Sequence, residues 1–372
     1  MGMSKNLKID VVIFILFLIP IATIVLNSPV IIGDEIINFQ SVMKFAQGFE
    51  IYKDFNVLIT PMFFYIGKIF LMLLGKNILA FRIYNIIIFG LLIFGLYKLF
   101  ETCKINKFRS FIYTCLMFVF IMPYINVGAN YNVFAIFLYV LGIIMFIKKR
   151  EWKYSEIIQG VLIYLMIFTK QNIGLLYVLS IITVYFINYK SKAVLKLIKI
   201  GIVSFALCGL NILYMLLKGN LYEFIDYVFL GMNSFTKDNF ILDEMGKIQI
   251  IIEIVLAIFV YVGTGLLSQL FERSELQMSY AELYTKDEQV KKGIVPFGYL
   301  IVFSLFLNLT MFPILNLYHV SLAIILNVFI IICELEVMFW GQNESVGRDN
   351  RFTLYACCTI YFYKYIWNNL CC

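Results

Sequence analysis

The amino-acid sequence predicts an all-α protein, a polytopic transmembrane helical bundle of about eleven spans. Three observations carry that prediction. Of the 372 residues, 62% are hydrophobic and 14% charged, and the mean hydropathy is +0.90. The apolar residues fall in repeated runs that approach the ~20 residues needed to cross ~30 Å of hydrocarbon. Basic residues gather in the short stretches between runs, which is how membrane proteins record their orientation.

The first run, 11–27, lacks a small-residue cleavage site and is followed by many more, so it is read as a retained helix and not a signal peptide. Further spans are expected at 78–98, 108–124, 132–147, 157–169, 173–188, 200–217, 248–267, 294–312, 320–340 and 352–367. The run 61–74 is different. Its 14 residues reach only about 21 Å at 1.5 Å per residue, and it carries Lys68. With this run lying at the surface and the N-terminus cytoplasmic, every basic cluster faces the cytoplasm: Lys98/Lys104/Lys107/Arg109, Lys148/Lys149/Arg150/Lys153, Lys190/Lys192/Lys196/Lys199 and Lys286/Lys291/Lys292.

That topology leaves 28–77, 125–131 and 218–246 outside. The organisation is then a transmembrane module at 1–217 that includes the first external loop, an external loop at 218–246 and C-terminal helices at 247–372. No separate soluble domain and no clear internal repeat is visible. The net charge of +7 belongs to topology and does not imply nucleic acid. The eight cysteines show no CxxC or Cys/His metal spacing.

Carboxylates at a membrane surface are scarce in such a chain, and Gly33-Asp34-Glu35 follows directly on the first span. From Asp34 a juxtamembrane amphipathic helix is expected, with Ile36, Phe39, Val42, Met43 and Ala46 on one face and Asn38, Gln40, Ser41, Lys44 and Gln47 on the other. Gly48 is its stop. Two readings of Asp34 stand side by side. As an N-cap it satisfies free amides and complements the helix dipole. As a catalytic group it is a general base that takes a proton from an acceptor hydroxyl. A divalent metal is a further possibility, with Glu35, Asp54, Asp226, Asp238, Asp243 and Glu244 as candidate oxygen donors.

A phosphate-bearing ligand needs cations. Arg82, in the first turns of its span, offers bidentate contact, and Lys170, at the end of another, a point charge; both equally suit snorkelling to the interface. His319, the single histidine, stands at the outer start of a span as an acceptor-side or phosphate-side candidate. Asn126, Asn130, Tyr131 and Asn132 offer neutral hydrogen bonds suited to a sugar, and are equally ordinary loop and cap residues.

Several of these residues recur in order: one helix, Gly33-Asp34-Glu35, Gly48-Phe49-Glu50-Ile51-Tyr52-Lys53-Asp54-Phe55, Thr60-Pro61 with a short helix to Leu74-Gly75, Leu79-Ala80-Phe81-Arg82, and Thr169-Lys170. In this the chain resembles the GT-C superfamily of polytopic glycosyltransferases, nearest to its protein O-mannosyltransferase-like and aminoarabinose transferase-like bacterial branch. The resemblance covers about 10–190. It implies transfer of a sugar from a polyprenyl-phosphate-linked donor to an envelope glycan, lipid or protein on the outer face of the plasma (inner) membrane. In that reading Asp34 holds the catalytic acidic position with Glu35 beside it, and Arg82 and Lys170 match recurrent basic positions, for which we infer phosphate binding; Asp54, within the matched motif, and His319, from its own placement outside the matched stretch, complete the expected substrate-binding residues. One departure is that Gly128-Ala129-Asn130-Tyr131-Asn132 has no acid where many relatives carry one.

Two rivals come from other classes. A lipid-linked saccharide transporter or flippase would place charged or broken helices near the midplane in paired halves, whereas these charges lie mostly near span ends. A non-catalytic family member acting as a membrane partner would keep its function without the Asp34 carboxylate.

Overall fold

The computed structural model describes residues 5–30, 33–125, 130–231, 251, 255, 299–311 and 322–340, and among these the chain is all-helical. The helices are α1 (Lys5–Asn27), α2 (Asp34–Gln47), α3 (Met62–Leu74), α4 (Ile78–Thr102), α5 (Lys107–Ile125), α6 (Asn130–Lys149), α7 (Ser155–Thr169), α8 (Gln171–Tyr189), α9 (Ala193–Lys218), the single turn α10 (Leu221–Ile225), α11 (Tyr299–Asn308) and α12 (Ile325–Trp340).

Four stretches among the described residues are long and apolar enough to cross a bilayer: Leu7–Asn27, Ile78–Thr102, Tyr131–Lys149 and Gln171–Lys218. Helices of this length and composition are those of a membrane protein. The last stretch contains both α8 and α9, divided by a basic 3₁₀ turn at Lys190–Lys192. α3, α7 and α11 are apolar but shorter. The expected spans at 248–267 and 352–367 lie outside the described residues, apart from isolated positions.

The chain divides into two compact units, 1–182 with 191–241 and 312–314, and 183–190 with 242–311 and 315–372. In the first, α4 is the central helix and packs on α1, α3, α5 and α6, while α7 packs on α6 and α9. Phe81, Phe89, Leu92, Leu96, Leu99 and Phe100 of α4 are fully buried, as expected of a bundle's middle helix. At one end of the helices Lys98 bridges Asp10 and Glu101, both at 2.6 Å, and Lys107 reaches Asp10 at 3.4 Å, so charges tie α1, α4 and α5 together. In the second unit Tyr299 donates to Asn188 at 2.8 Å.

The opposite end of the same helices is built from α2, α3 and the starts of α4, α6 and α8. α2 follows Gly33 and ends at Gly48, where φ is +107 and the Gly48 and Phe49 amides return to the Phe45 and Lys44 carbonyls. Its buried side differs from the expected apolar stripe. Glu35, Asn38 and Ser41 turn inward with Val42, Phe45 and Ala46, and Ile37 is 59% exposed. At a membrane boundary apolar side chains tolerate the outside, and polar ones must find partners within the protein.

Candidate functional site

Gly33 occupies the N-cap position of α2 with φ +136, and no side chain caps the helix. Asp34 is therefore the first helical residue, and the capping role expected as one of its readings falls to a glycine backbone. A residue one place further on points about 100° around the helix. That rotation separates the two acids: Asp34 is exposed and Glu35 is buried.

Glu35 meets Arg82 across from α2 to α4. Arg82 donates from Nε to Oε1 at 2.8 Å and from Nη2 to Oε2 at 3.2 Å. Two further donors go to backbone, Nη1 to the Ser28 carbonyl at 3.0 Å and Nη2 to the Pro29 carbonyl at 3.2 Å. One guanidinium thus fixes the chain where it leaves α1, the start of α2 and the start of α4. Asn77 prepares the last of these, its side chain accepting from the Ala80 amide at 2.9 Å as the N-cap of α4.

Lys170 stands in the break between α7 and α8, with extended backbone at φ −155 and ψ 108. Its amide still bonds the Met166 carbonyl at 2.8 Å, and its own carbonyl accepts from Gly174 at 3.1 Å. The break is tight. A Cβ on Gly174 would lie 2.6 Å from the Ile167 nitrogen, so no other residue fits without moving the backbone. This turn throws the lysine side chain inward, where it is 8% exposed, hydrogen-bonded to the Asn132 carboxamide oxygen and 5.7 Å from the centre of the Tyr131 ring.

Asp34 and Lys170 feel each other's charge. Although Asp34 keeps an open surface, the protein packed around it strips water from its carboxyl and pushes it up from its ordinary value, and the lysine draws it part of the way back. Burial lowers the Lys170 ammonium to about 8, against the opposing pull of Asp34. Desolvation is the larger cause for both. Among the described residues Asp34 makes no hydrogen bond or ion pair. Tyr131 lies within reach of the Asp34 charge as well. Beneath them Phe63 meets Tyr131 at 6.1 Å, Tyr84 at 5.2 Å and Phe81 at 6.4 Å between ring centres, an apolar floor shared by α3, α4 and α6.

Asp54 is placed elsewhere. Its carboxylate accepts from the Glu50 amide at 2.7 Å and closes a turn in which Tyr52 has φ +69 and donates to the Ile59 carbonyl at 2.6 Å. The turn docks on the chain after α9, where Asn220 donates to the Ile51 carbonyl at 2.8 Å. His319, Asn126, Asp238, Asp243 and Glu244 lie outside the described residues. The structure thus joins Asp34, Glu35, Arg82, Tyr131, Asn132 and Lys170 at one end of the bundle, with Asp54 serving its own loop.

Among the described residues the surroundings of Asp34 do not assemble a divalent-cation site. The neighbouring carboxylate is held by Arg82, the nearby charge is a lysine, and no cluster of three or more metal-ligating side chains occurs among the described residues. Sequence reasoning missed Gln171, buried beside Lys170, which donates to the Val228 carbonyl at 3.3 Å and anchors the Lys170 turn to the chain beyond α10. Its only sequence signal was its place next to the lysine. Neither known protein families, curated proteins nor solved structures contain a match to this chain.

Proposed function

We propose that the protein is a membrane glycosyltransferase with the eleven-span GT-C architecture, moving a sugar from a polyprenyl-phosphate-linked donor to an envelope acceptor on the outer face of the membrane. The observation that carries the reading is an accessible carboxylate, Asp34, within electrostatic range of a buried ammonium, Lys170, at one end of the bundle. Asp34, raised above an ordinary carboxylate by burial, acts as the base that accepts the proton of the acceptor hydroxyl as that oxygen attacks the anomeric carbon. The donor's sugar–phosphate bond breaks, and its electron pair leaves with the lipid phosphate. Lys170, with one bond spent on Asn132, has donors to spare for that phosphate and neutralises the charge that develops on it.

Arg82 takes a different part from the phosphate contact first expected of it. Four of its five donors are engaged by Glu35 and two carbonyls, so in this reading the Arg82–Glu35 pair is a positioning element that sets the angle at which Asp34 is presented. Glu35 is then the anchor of that element, and the reaction has one catalytic carboxylate. The side chains present require no metal for the steps described.

Lipid binding tests the cation's role. Purified protein in nanodiscs doped with undecaprenyl phosphate, examined by native mass spectrometry, should retain that lipid, and Lys170→Met should retain at least about tenfold less, the loss of one charge-assisted contact. Equal retention by the two proteins removes Lys170 from the phosphate site.

A further inference from the structure

Lys68 is the only charged residue among the 13 of α3. That helix reaches about 20 Å at 1.5 Å per residue, short of the hydrocarbon core. One side of it is buried through Phe63, Phe64, Gly67 and Leu71. A Cβ on Gly67 would lie 3.0 Å from both Val42 methyls, so α2 and α3 pack as closely as a glycine allows. The close packing brings the Lys68 ammonium over the Phe45 ring of α2, 3.9 Å from its centre, and Phe45 in turn meets Tyr65 at 5.6 Å. Phe45 lies about 16 Å along α2 from Asp34 at 1.5 Å per residue, so the junction is separate from the Asp34 end of that helix.

The other side of α3 is uncovered and apolar. Ile69, Met72 and Leu73 are 55%, 63% and 77% exposed, and they continue from Lys68 along one face, because residues three and four apart on a helix are neighbours. A helix lying in water carries polar residues on such a face, whereas this face suits acyl chains. Lys68 stands at its edge. A lysine that merely snorkels carries its ammonium away from the protein into water, but this one rests on an aromatic ring. Among the described residues it has no carboxylate partner and no hydrogen bond, which leaves its three N–H donors open. The acids that follow α2 are engaged: Glu50 holds Lys218 at 2.9 Å, and Asp54 closes its own turn on the Glu50 amide. Lys44, next to Phe45 and 5.7 Å from the centre of the Phe55 ring, is a second cation with no carboxylate partner among the described residues. The junction is positive beside an apolar face, the complement of an anionic headgroup with its acyl chains.

We propose that the junction of α2 and α3 at Phe45 and Lys68 binds the phosphate of an anionic phospholipid whose acyl chains lie along Ile69, Met72 and Leu73. A free glycerophosphodiester offers the same phosphate chemistry, and the apolar face that continues from Lys68 favours the lipid.

Protein reconstituted in phosphatidylcholine nanodiscs with a minor fraction of phosphatidylglycerol and no polyprenyl phosphate provides the test, read as lipids retained in native mass spectrometry. Wild type should retain phosphatidylglycerol above its fraction in the disc. Lys68→Met should lower that retention about fivefold, the share of one lysine beside an anionic headgroup, and Lys68→Arg should keep it. Met72→Glu, at an exposed position one turn from Lys68, sets a carboxylate beside the ammonium and should lower retention by a similar factor even where Lys68→Met disturbs the packing on Phe45. Lys153 is the comparison: it is exposed at the opposite end of the helices, 4.6 Å from the centre of the Tyr154 ring, and Lys153→Met should leave retention unchanged. Retention of phosphatidylglycerol in proportion to the disc, or equal losses in Lys68→Met and Lys153→Met, overturns the proposal. Displacement by millimolar glycerophosphoglycerol to the same extent as by added phosphatidylglycerol would assign the junction to a free phosphodiester and overturn the lipid claim. The readout is bound phospholipid and not sugar transfer, so it stands or falls independently of Asp34 and Lys170.

Discussion

Arg82 grips Glu35 with two parallel bonds, Nε to Oε1 at 2.8 Å and Nη2 to Oε2 at 3.2 Å, between side chains only 10% and 8% exposed. A buried pair of this geometry contributes less to net stability than to position, since desolvation offsets much of the attraction. Its consequence here is that the acid adjacent to Asp34 is immobilised and the start of α2 cannot swing away from α4.

Breaking the pair from one side leaves a buried charge alone. Glu35→Gln or Arg82→Met should each destabilise the protein by about 3–5 kcal/mol, and the double variant by less than either single change. Thermal unfolding in detergent checks this. Additive losses in the double variant would show that the two residues are not energetically coupled.

Transfer activity should have a bell-shaped pH profile. The base must be unprotonated, so kcat/KM falls at acidic pH, with a limb above the ordinary carboxylate value of 3.8 because burial raises Asp34. The phosphate-side ammonium must be protonated, so it also falls as pH rises through about 8. Lys170→Arg should preserve activity and push the basic limb beyond the measurable range, because a guanidinium stays charged. A basic limb unmoved in Lys170→Arg would assign it to another group.

The buried lysine also weakens the fold. Between an ordinary 10.5 and about 8 lie about 3 kcal/mol of unfavourable folding free energy at neutral pH. Because the folded pKa is the lower one, the unfolded chain binds more protons between pH 8 and 10.5, and wild-type stability should rise with pH through that window. Lys170→Met combined with Asn132→Leu, which leaves no orphaned partner, should be more stable than wild type at pH 7 by up to roughly 3 kcal/mol. The advantage should vanish toward pH 10.5. Melting curves across pH decide the matter, and a constant difference would mean that protonation of Lys170 is not its source.

Gly174→Ala should act on the same lysine from a distance. The new Cβ would meet backbone of Ile167 at 2.6 Å, a clash that no rotamer relieves, at a cost of about 1–3 kcal/mol. The turn holding Lys170 has to open, so undecaprenyl-phosphate retention should fall with stability. A stable variant with full lipid retention would contradict the tight-turn account.

Much of this arrangement was legible in the sequence. Apolar runs gave the helices at 78–98 and 132–147, because length against bilayer thickness is a strong constraint, and the ordered motifs at Asp34, Arg82 and Lys170 named residues that the fold does bring together. The division of labour was not legible. Which of two adjacent acids turns inward depends on the rotation of α2: Val42 and Ala46 of the expected apolar face are buried and Phe39 meets Phe81 at 5.7 Å, but the buried side is turned far enough to take in Glu35, Asn38 and Ser41 as well. The Asn132 contact to Lys170 was equally hidden. Asn132 reads from sequence as a neutral hydrogen-bonding residue suited to a sugar or as an ordinary cap, since nothing in its own neighbourhood names a lysine 38 positions away. The local bond of Asp54 to the Glu50 amide was not legible either, because a carboxylate that closes its own turn looks the same in sequence as one that reaches a ligand.

The central claim is that the Asp34 carboxylate performs chemistry. Mass spectrometry of surface glycans and glycolipids, from a strain lacking the gene and complemented with wild type or Asp34→Asn at matched membrane abundance, tests it most directly. The account predicts one sugar modification that wild type restores and Asp34→Asn does not. Restoration by both proteins would contradict it and return Asp34 to a residue at the start of a surface helix.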